Sequence, residues 1–269
     1  MKKGFIRIPF FLRAYSLSHI MRRMKNKKLK AILSITGYFL LVIALCVSAS
    51  IVFHNMYYEL VYVSGTSMSP TLNGNDNEKD GTVVDFGIAD YHKSAINHIK
   101  RFSIVSTYYY DDYASEGVLK ANPKIKIKRV VALPGETFKI EKSLLYVLKD
   151  GEYEQIPYSF NIEPQTSAEY TGKDISETTL ADNEYWVLGD HRDKSRDCGT
   201  LNKAIQKDYI MGVLVAIEGQ AQLKVKKYVC NTCGKSTTRN VELCPSCNTG
   251  SLSPEYELVN KQYHWPKYF

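Results

Sequence analysis

The sequence predicts a mainly β domain that follows one N-terminal transmembrane helix and ends in a small cysteine-rich module. Three observations support this prediction. Residues 31–53 contain no charged side chain. From Leu60 onward, short apolar or β-branched runs alternate with clusters of Gly, Asn, Asp and Pro, as strands and their turns require. Two C-x-x-C pairs lie within residues 229–250.

The first 30 residues form a basic tail. They hold ten of the 35 Lys and Arg residues and no acidic residue, which leaves 25 basic and 28 acidic side chains in residues 31–269. The formal net charge of +7 therefore comes from the tail. A nucleic-acid-binding protein would spread basic side chains over a folded surface, so we expect no nucleic-acid partner.

Residues 31–53 are predicted to form a transmembrane anchor, because roughly 20 apolar residues in a helix span a bilayer core. A buried helix of a soluble protein would carry a polar face. The apolar region of a cleavable signal peptide is shorter, about 7–15 residues. Basic flanks stay in the cytoplasm, so residues 1–30 are expected inside and the chain from His54 onward outside. We expect a single-pass plasma-membrane protein with an extracytoplasmic domain.

The region beyond the anchor, residues 54–219, is expected to form one β-rich domain. The polar segments 85–101 and 160–183 show no regular period and are predicted to be surface loops. The predicted strands are Leu60–Val63, Thr82–Phe86, Phe102–Tyr110, Ile125–Leu133, Thr137–Ile140, Leu144–Leu148, Tyr185–Leu188 and Ile210–Ile217.

A serine in a turn is the first candidate for catalysis. Ser67 lies in SGTSMSPTLNG, residues 64–74, where Pro70 restricts the chain and Gly65 permits a tight approach. Such clusters also form ordinary turns, and a serine nucleophile needs a base. One candidate base is His191, in GDHRDKSRD.

Lys128, in IKIKRVVALPGE, is the other candidate base. A lysine can act as a base when burial lowers its pKa. Strand alternation places Lys126 and Lys128 on one face, and that face could equally be exposed to solvent. The spacing alone leaves both interpretations open.

Three blocks, in this order, resemble the bacterial type I signal peptidase family, whose hallmark is a Ser–Lys dyad. SGTSMSPTL resembles its nucleophile box and KRVVALPGE its lysine box, which implies that Ser67 is the nucleophile and Lys128 the general base. GDHRDKSRD resembles its third box, in which Ser195 matches a serine that orients the lysine and Asp197 an aspartate that supports the loop. The resemblance covers about residues 31–219.

The resemblance implies a signal-peptidase-like β domain close to the lipid bilayer. It also implies removal of signal peptides from exported preproteins after small residues, with no cofactor for catalysis. The Ser67 N–H is the implied oxyanion donor. Some members carry a Ser or Thr, which adds a second donor, where this chain has Gly65. Ser64 and Thr66 both stay open as the second donor here.

Two further departures concern the third block. His191 stands where Asn is usual, and Cys198 and Gly199 replace the Ser–Arg pair that often follows the aspartate. The ion pair made by that arginine is therefore expected to be absent.

The two C-x-x-C pairs predict a ribbon-like module over residues 229–250, which follows a linker at 220–228 and precedes a tail at 251–269. Four thiolates suit structural zinc, and they leave no open position for catalysis. Two disulfides are the alternative, since an extracytoplasmic location favours them. Docking of a substrate or of another partner is the hypothesis for the role of this module. The predicted ligands are Cys230, Cys233, Cys244 and Cys247.

Two other classes of protein share part of this pattern. A self-cleaving Ser–Lys repressor has a similar serine box, but it carries a DNA-binding domain where this chain has the apolar segment. A non-enzymatic membrane protein could present the cysteine module on a decayed peptidase domain. The joint presence of Ser67, Lys128 and Ser195 argues against decay.

Overall fold

The computed structural model describes residues 27–109, 125–142, 144–157 and 174–269. Most of the predicted basic tail, residues 1–26, lies outside the described residues. The chain divides into two compact units, Met1–Met56 and Tyr57–Phe269, and each is described by itself.

The described part of the first unit is helical. Helix α1 covers Lys27–Tyr57. Within it, the stretch Ala31–His54 is long and apolar enough to cross a membrane, and none of it is buried against protein. No second helix of this kind occurs in the described ranges. The predicted apolar helix is therefore present.

The second unit consists almost entirely of antiparallel strands, so the mainly β prediction is confirmed. Its strands are β1 (Tyr58–Tyr62), β2 (Val83–Asp90), β3 (Ile104–Thr107), β4 (Lys126–Ala132), β5 (Thr137–Glu141), β6 (Leu144–Lys149), β7 (Glu152–Ile156), β8 (Ile175–Thr179), β9 (Glu184–Leu188), β10 (Ile205–Gln206), β11 (Ile210–Cys230), β12 (Ser236–Thr237) and β13 (Leu252–Tyr268). Two short helices are α2 (Lys93–Asn97) and α3 (Cys198–Leu201), and 3-10 turns cover Arg192–Lys194 and Lys207–Tyr209.

The long strand β11 organises the larger sheet. The strand order is β1-β2-β11-β3-β4-β9-β10, and β12 and β13 also pair with β11. A smaller sheet has the order β7-β6-β5-β8. Strand β4 lies between β3 and β9, with Lys128 opposite Val105 and Arg129 opposite Leu188. This order places the lysine block, KRVVALPGE, which begins on β4, directly beside β9, the strand that leads into the third block.

Two apolar clusters hold the unit together. The larger lies against both sheets, where the Phe138 ring packs 5.3 Å from the Trp186 ring. Burial of one such side chain contributes roughly 1.5–3 kcal/mol. The smaller cluster lies beneath the turn that contains Ser67. Its buried members are Val63, Met68, Leu72, Ile104, Leu214 and Ile217.

The prediction of surface loops at 85–101 and 160–183 is wrong where the structure has a strand or a helix, and it holds for residues 91–92, 98–101 and 180–183. Residues 85–90 belong to β2, Lys93–Asn97 is α2, and Ile175–Thr179 is β8. Residues 158–173 lie outside the described ranges. The polar residues of β2 misled the sequence interpretation: Asp85 is buried, because its carboxylate accepts hydrogen bonds from the Asn73 N–H and the Gln220 amide.

The ranges interpreted as a linker and a tail are the two paired strands of a long hairpin. Residues 220–228 lie within β11, and Leu252–Tyr268 is β13. The two strands pair antiparallel from Ala216 opposite Tyr268 to Cys230 opposite Leu252. The cysteine module therefore lies at the tip of this hairpin.

Candidate active site and candidate metal centre

The Ser67 turn, residues 64–72, follows β1 and is anchored by its apolar side chains. Met68 and Leu72 are buried in the smaller cluster, and the Leu72 N–H donates to the Met68 carbonyl. Ser67 itself is at intermediate exposure. Its carbonyl accepts a hydrogen bond of 3.0 Å from the His191 N–H. The turn is thus tied to the third block of the sequence.

Lys128 extends from β4 toward this turn. Its Nζ lies 2.6 Å from Ser67 Oγ and donates to the Ile127 carbonyl at 2.8 Å. Only 3% of Lys128 is exposed, whereas Lys126, on the same strand, is half-buried. The alternative of a solvent-facing Lys128 is therefore wrong.

Burial lowers the pKa of Lys128 to about 8, since an apolar environment disfavours the ammonium form. The positive charge of Lys126 lowers the pKa further, and the carboxylates of Asp197 and Asp190 raise it in part. With this pKa, roughly a tenth of the Lys128 side chains are neutral at pH 7. In this neutral form, Lys128 can accept a proton from a group at hydrogen-bonding distance.

The third block packs against the Ser67 turn through Gly189. A Cβ at this position would lie 2.2 Å from Ser195 Oγ and 2.4 Å from the Ser67 carbonyl oxygen, so only glycine fits. Ser195 is buried, and its Oγ has no hydrogen-bond partner among the described residues. The bond from Ser195 to Lys128 that the resemblance implies is not formed in this structure.

Asp197 holds the backbone of this loop. One carboxylate oxygen accepts from the Gly189 N–H at 2.9 Å. The other accepts from the Gly199 and Thr200 N–H groups and caps α3, which satisfies donors that a helix start leaves free. Asp197 thus makes loop contacts of the kind that the resemblance implies.

An ion pair that the sequence analysis missed joins β4 to the third block. Arg129 Nε and Nη2 donate to the two oxygens of Asp190 at 2.9 and 2.7 Å, and Nη1 donates to the Phe102 carbonyl at 2.9 Å. Both side chains are 1% exposed. Arg129 and Asp190 stand beside residues already singled out, in KRVV and GDHR. A different ion pair therefore holds this loop in place of the one expected to be absent.

His191, the alternative base, does not reach Ser67 with its ring. Its Nδ1 lies 3.3 Å from the Thr66 carbonyl oxygen and its Nε2 lies 3.1 Å from Asp193. Cys198 is fully buried, and this burial raises the pKa of its thiol to about 12. Neither side chain competes with Lys128 as the group nearest to the Ser67 hydroxyl.

The four C-terminal cysteines form one cluster, in which every Sγ lies within 4.8 Å of the others. Cys230 and Cys247 are 3.7 Å apart, and Cys233 and Cys244 are 3.6 Å apart. A tetrahedron of Zn–S bonds of about 2.3 Å has edges of about 3.8 Å, whereas a disulfide is about 2.05 Å long. The sulfur positions therefore fit a tetrahedral metal site.

The backbone of this module also fits a thiolate site. The Cys230 Sγ accepts N–H bonds from Thr232 and Cys233 at 3.4 Å. A Cβ at Gly250 would lie 2.3 Å from that sulfur, so glycine is required. Hydrogen bonds from the Thr249 and Gly250 N–H groups lower the pKa of Cys247 to about 6. The hydrogen bonds to the Cys230 and Cys247 sulfurs favour the thiolate form that binds metal. At Cys233 the Lys235 N–H has the same effect, but burial and the three neighbouring thiols outweigh it and raise the pKa to about 11.

Comparison with known proteins gives the family. A family model described as signal peptidase, peptidase S26, matches residues 35–217. The chain is 26% identical over 157 residues to signal peptidase I of Bacillus amyloliquefaciens, an alignment that covers 58% of this chain and 72% of the relative. It is 28% identical over 160 residues to signal peptidase IB of Staphylococcus aureus, covering 56% and 72%. Signal peptidase I S of Bacillus subtilis is 25% identical over 158 residues, covering 58% and 73%.

Among solved structures, a signal peptidase I from Enterococcus faecalis aligns with 43% of this chain and 96% of its own, at 23% identity and a TM-score of 0.31. The family match covers more than half of the sequence, and the Ser67–Lys128 pair lies inside it. The chain belongs to the signal peptidase family. It is a peptidase of the kind that removes signal peptides, with the cysteine cluster outside the matched range.

Proposed function

We propose that this chain is a membrane-anchored serine endopeptidase that removes signal peptides from exported preproteins, with Ser67 as nucleophile and Lys128 as general base. The observation that carries the proposal is the 2.6 Å separation of Ser67 Oγ from the Nζ of a buried lysine. A nucleophile and its base must lie within hydrogen-bonding reach. The signal peptidases among the relatives support the substrate class.

The base acts in its neutral form. With a pKa of about 8, roughly a tenth of the Lys128 side chains are neutral at pH 7. Neutral Nζ accepts the hydroxyl proton while Ser67 Oγ attacks the scissile carbonyl carbon of the preprotein. The proton then passes from the ammonium to the leaving amine, and water hydrolyses the acyl-enzyme with the same lysine as base.

The Ser67 N–H is the proposed oxyanion donor. Among the described residues it donates to no acceptor, so it is free to bind the negative oxygen of the tetrahedral intermediate. Following the family resemblance, the leader carries small residues at positions −3 and −1 of the cut.

We assign positioning roles to two residues of the third block. The buried Ser195 hydroxyl is proposed to orient Lys128 when the ammonium forms, because a buried polar group without a partner costs roughly 1–3 kcal/mol. Asp197 is proposed to hold the loop through its bonds to Gly189 and α3. No cofactor takes part in this chemistry.

We further propose that α1 is a single-pass anchor in the plasma membrane, with the basic tail in the cytoplasm and residues 54–269 outside. The support is the uncharged stretch within α1 and the ten basic residues that precede this stretch. Basic flanks remain cytoplasmic.

The cysteine cluster is proposed to hold one structural zinc ion through Cys230, Cys233, Cys244 and Cys247. The sulfur separations and the N–H bonds to sulfur support this assignment. Zinc would cross-link the two turns at the tip of the hairpin. It would contribute to folding and leave the peptidase chemistry to Ser67 and Lys128.

Cleavage of a preprotein by the detergent-solubilised full chain tests the function. Ser67→Ala, Lys128→Ala and Lys128→Arg are each expected to abolish cleavage, since a guanidinium stays protonated. In the parent, kcat/KM is expected to fall tenfold per pH unit below an apparent pKa near 8. Ser195→Ala is expected to lower the rate while leaving measurable cleavage.

Cleavage by Lys128→Arg within tenfold of the parent would refute general-base catalysis by this residue. More than a few per cent of parental activity in Ser67→Ala would refute the assignment of the nucleophile. Lys126→Arg, two residues earlier on β4, is the matched control and is expected to keep its activity.

A further inference from the structure

Every polar main-chain and side-chain group of Thr66, the residue before Ser67, is engaged. Its N–H donates to Asp76 Oδ1 at 2.9 Å and its hydroxyl donates to Asp76 Oδ2 at 2.6 Å. Its carbonyl accepts from the Ser69 N–H at 3.0 Å and lies 3.3 Å from His191 Nδ1. One exposed carboxylate, ten residues further along the chain, thus holds both donors of Thr66.

These contacts set the direction of the Ser67 N–H. The Thr66 carbonyl and the Ser67 N–H belong to one planar peptide group, so a fixed carbonyl fixes where the N–H points. The two preceding N–H groups are used elsewhere: that of Gly65 donates to the Asn75 carbonyl at 3.2 Å, and that of Thr66 to Asp76. Within this turn, as far as the structure describes it, the Ser67 N–H remains available.

We infer that Asp76 is a positioning residue for catalysis, because it clamps Thr66 and thereby aims the Ser67 N–H at the oxyanion. The inference rests on the proposed function, since it concerns the oxyanion donor of that reaction. It also assigns the Thr66 hydroxyl to Asp76. Thr66 is therefore a clamped residue and not the second oxyanion donor.

The charge of Asp76 suits this role. Hydrogen bonds from the Thr66 hydroxyl and N–H hold the pKa of Asp76 below its usual range, and the positive charge of Lys194 adds to the effect. The carboxylate is thus ionised throughout the pH range in which Lys128 becomes neutral. Asp76 is absent from the charges that shift the pKa of Lys128, which are Asp197, Lys126 and Asp190. Its removal should leave the strength of the base unchanged.

The loop that carries Asp76 is braced by the C-terminal hairpin. The Tyr256 hydroxyl donates to the Glu78 carbonyl at 2.8 Å, and the Val225 N–H donates to Asp80 Oδ1 at 2.6 Å. Both Tyr256 and Val225 lie beyond residue 217, where the family match ends. The hairpin thus reaches the Ser67 turn through Asp76 and its loop.

Steady-state cleavage of a preprotein by the full chain tests the role of Asp76. We expect Asp76→Ala to lower kcat at least tenfold, because loss of an oxyanion donor costs about 10²–10³ in rate and misalignment forfeits part of that. KM should stay within threefold and the acid limb of the pH profile should not move. Thr66→Val should also lower kcat, whereas Thr66→Ser, which keeps both donors, should stay within threefold of the parent.

Asn77→Ala, one residue further along the same exposed loop, is the matched control and should match the parent. Suppose that Asp76→Ala has the kcat of the parent in an assay in which Ser67→Ala shows no cleavage. This result would refute the role of Asp76 and leave the proposed function intact. Activity in Ser67→Ala would instead overturn the proposed function. If Asp76→Ala does not fold, equal kcat values for Thr66→Val and Thr66→Ser would overturn the clamp.

Discussion

Replacing Lys128 by methionine should stabilise the protein while abolishing its activity. The pKa of Lys128 falls from 10.5 to about 8 on folding, a difference of about 2.5 units, or about 3 kcal/mol at 1.36 kcal/mol per unit. The unfolded chain binds the extra proton between these two values. The lowered pKa therefore reduces the free energy of unfolding by the full amount below pH 8. This destabilisation shrinks as the pH rises from 8 and vanishes above pH 10.5.

Methionine has a similar length and no charge to desolvate. The substitution also removes the hydrogen bonds from Lys128 to Ser67 and to the Ile127 carbonyl, and their loss costs about 1 kcal/mol. The expected net gain in the free energy of unfolding at pH 7 is therefore about 2 kcal/mol. For a domain of this size, that corresponds to a rise in melting temperature of about 4–8 °C. Thermal unfolding of the detergent-solubilised full chain, followed by tryptophan fluorescence, measures this rise, since Trp186 lies in the larger core.

The gain should disappear at pH 10.5, and this pH dependence separates relief of desolvation from better packing. Lys126→Met, two residues earlier on β4, removes the same charge from a half-buried side chain and should give a much smaller rise. An equal rise for both variants at pH 7, or the same rise for Lys128→Met at pH 7 and pH 10.5, would refute the reasoning.

Two further predictions concern the cysteine cluster and the orientation of the chain in the membrane. Protein purified under reducing conditions should contain one zinc ion per chain by elemental analysis, and Cys230→Ser should lose it while Cys198→Ser, at a buried cysteine outside the cluster, keeps it. Mass spectrometry that finds four oxidised cysteines and no metal would favour disulfides instead. Protease added to intact cells should digest residues after His54 and spare residues 1–30. Digestion of the tail with protection of the remainder would reverse the proposed orientation.

The sequence motifs identified Ser67 and Lys128 as a pair, but alternation along β4 could not show that Lys128 is buried. Lys126 and Lys128 share one face of the strand, and only Lys128 is covered by the Ser67 turn, which comes about 60 residues earlier in the chain. Such burial depends on tertiary packing rather than on local pattern. Arg129 and Asp190 were missed for the same reason. Charged residues are expected at the surface unless they are paired, and the sequence does not show that these two form a pair.

Strand β11 was predicted only as far as Ile217, although it continues to Cys230. Its second half alternates small or apolar residues, such as Ala221, Leu223 and Val225, with polar ones, which is the pattern of a half-buried strand. Residues 220–228 were instead predicted to be a linker. The partner of β11, strand β13, contains Pro254 and Pro266, which argue against a central strand and are compatible with an edge position.

The pKa of Lys128 results from a balance between opposing groups. Burial and Lys126 lower it, whereas Asp197 and Asp190 raise it. Without the carboxylates, a larger fraction of the lysine would be neutral at pH 7, but the amine would be a weaker base. A general base works best when its pKa lies near the working pH. Asp197 and Asp190 are also the residues that hold the third block, through Gly189 and Arg129. The same two carboxylates therefore set the loop geometry and limit how far burial can weaken the base.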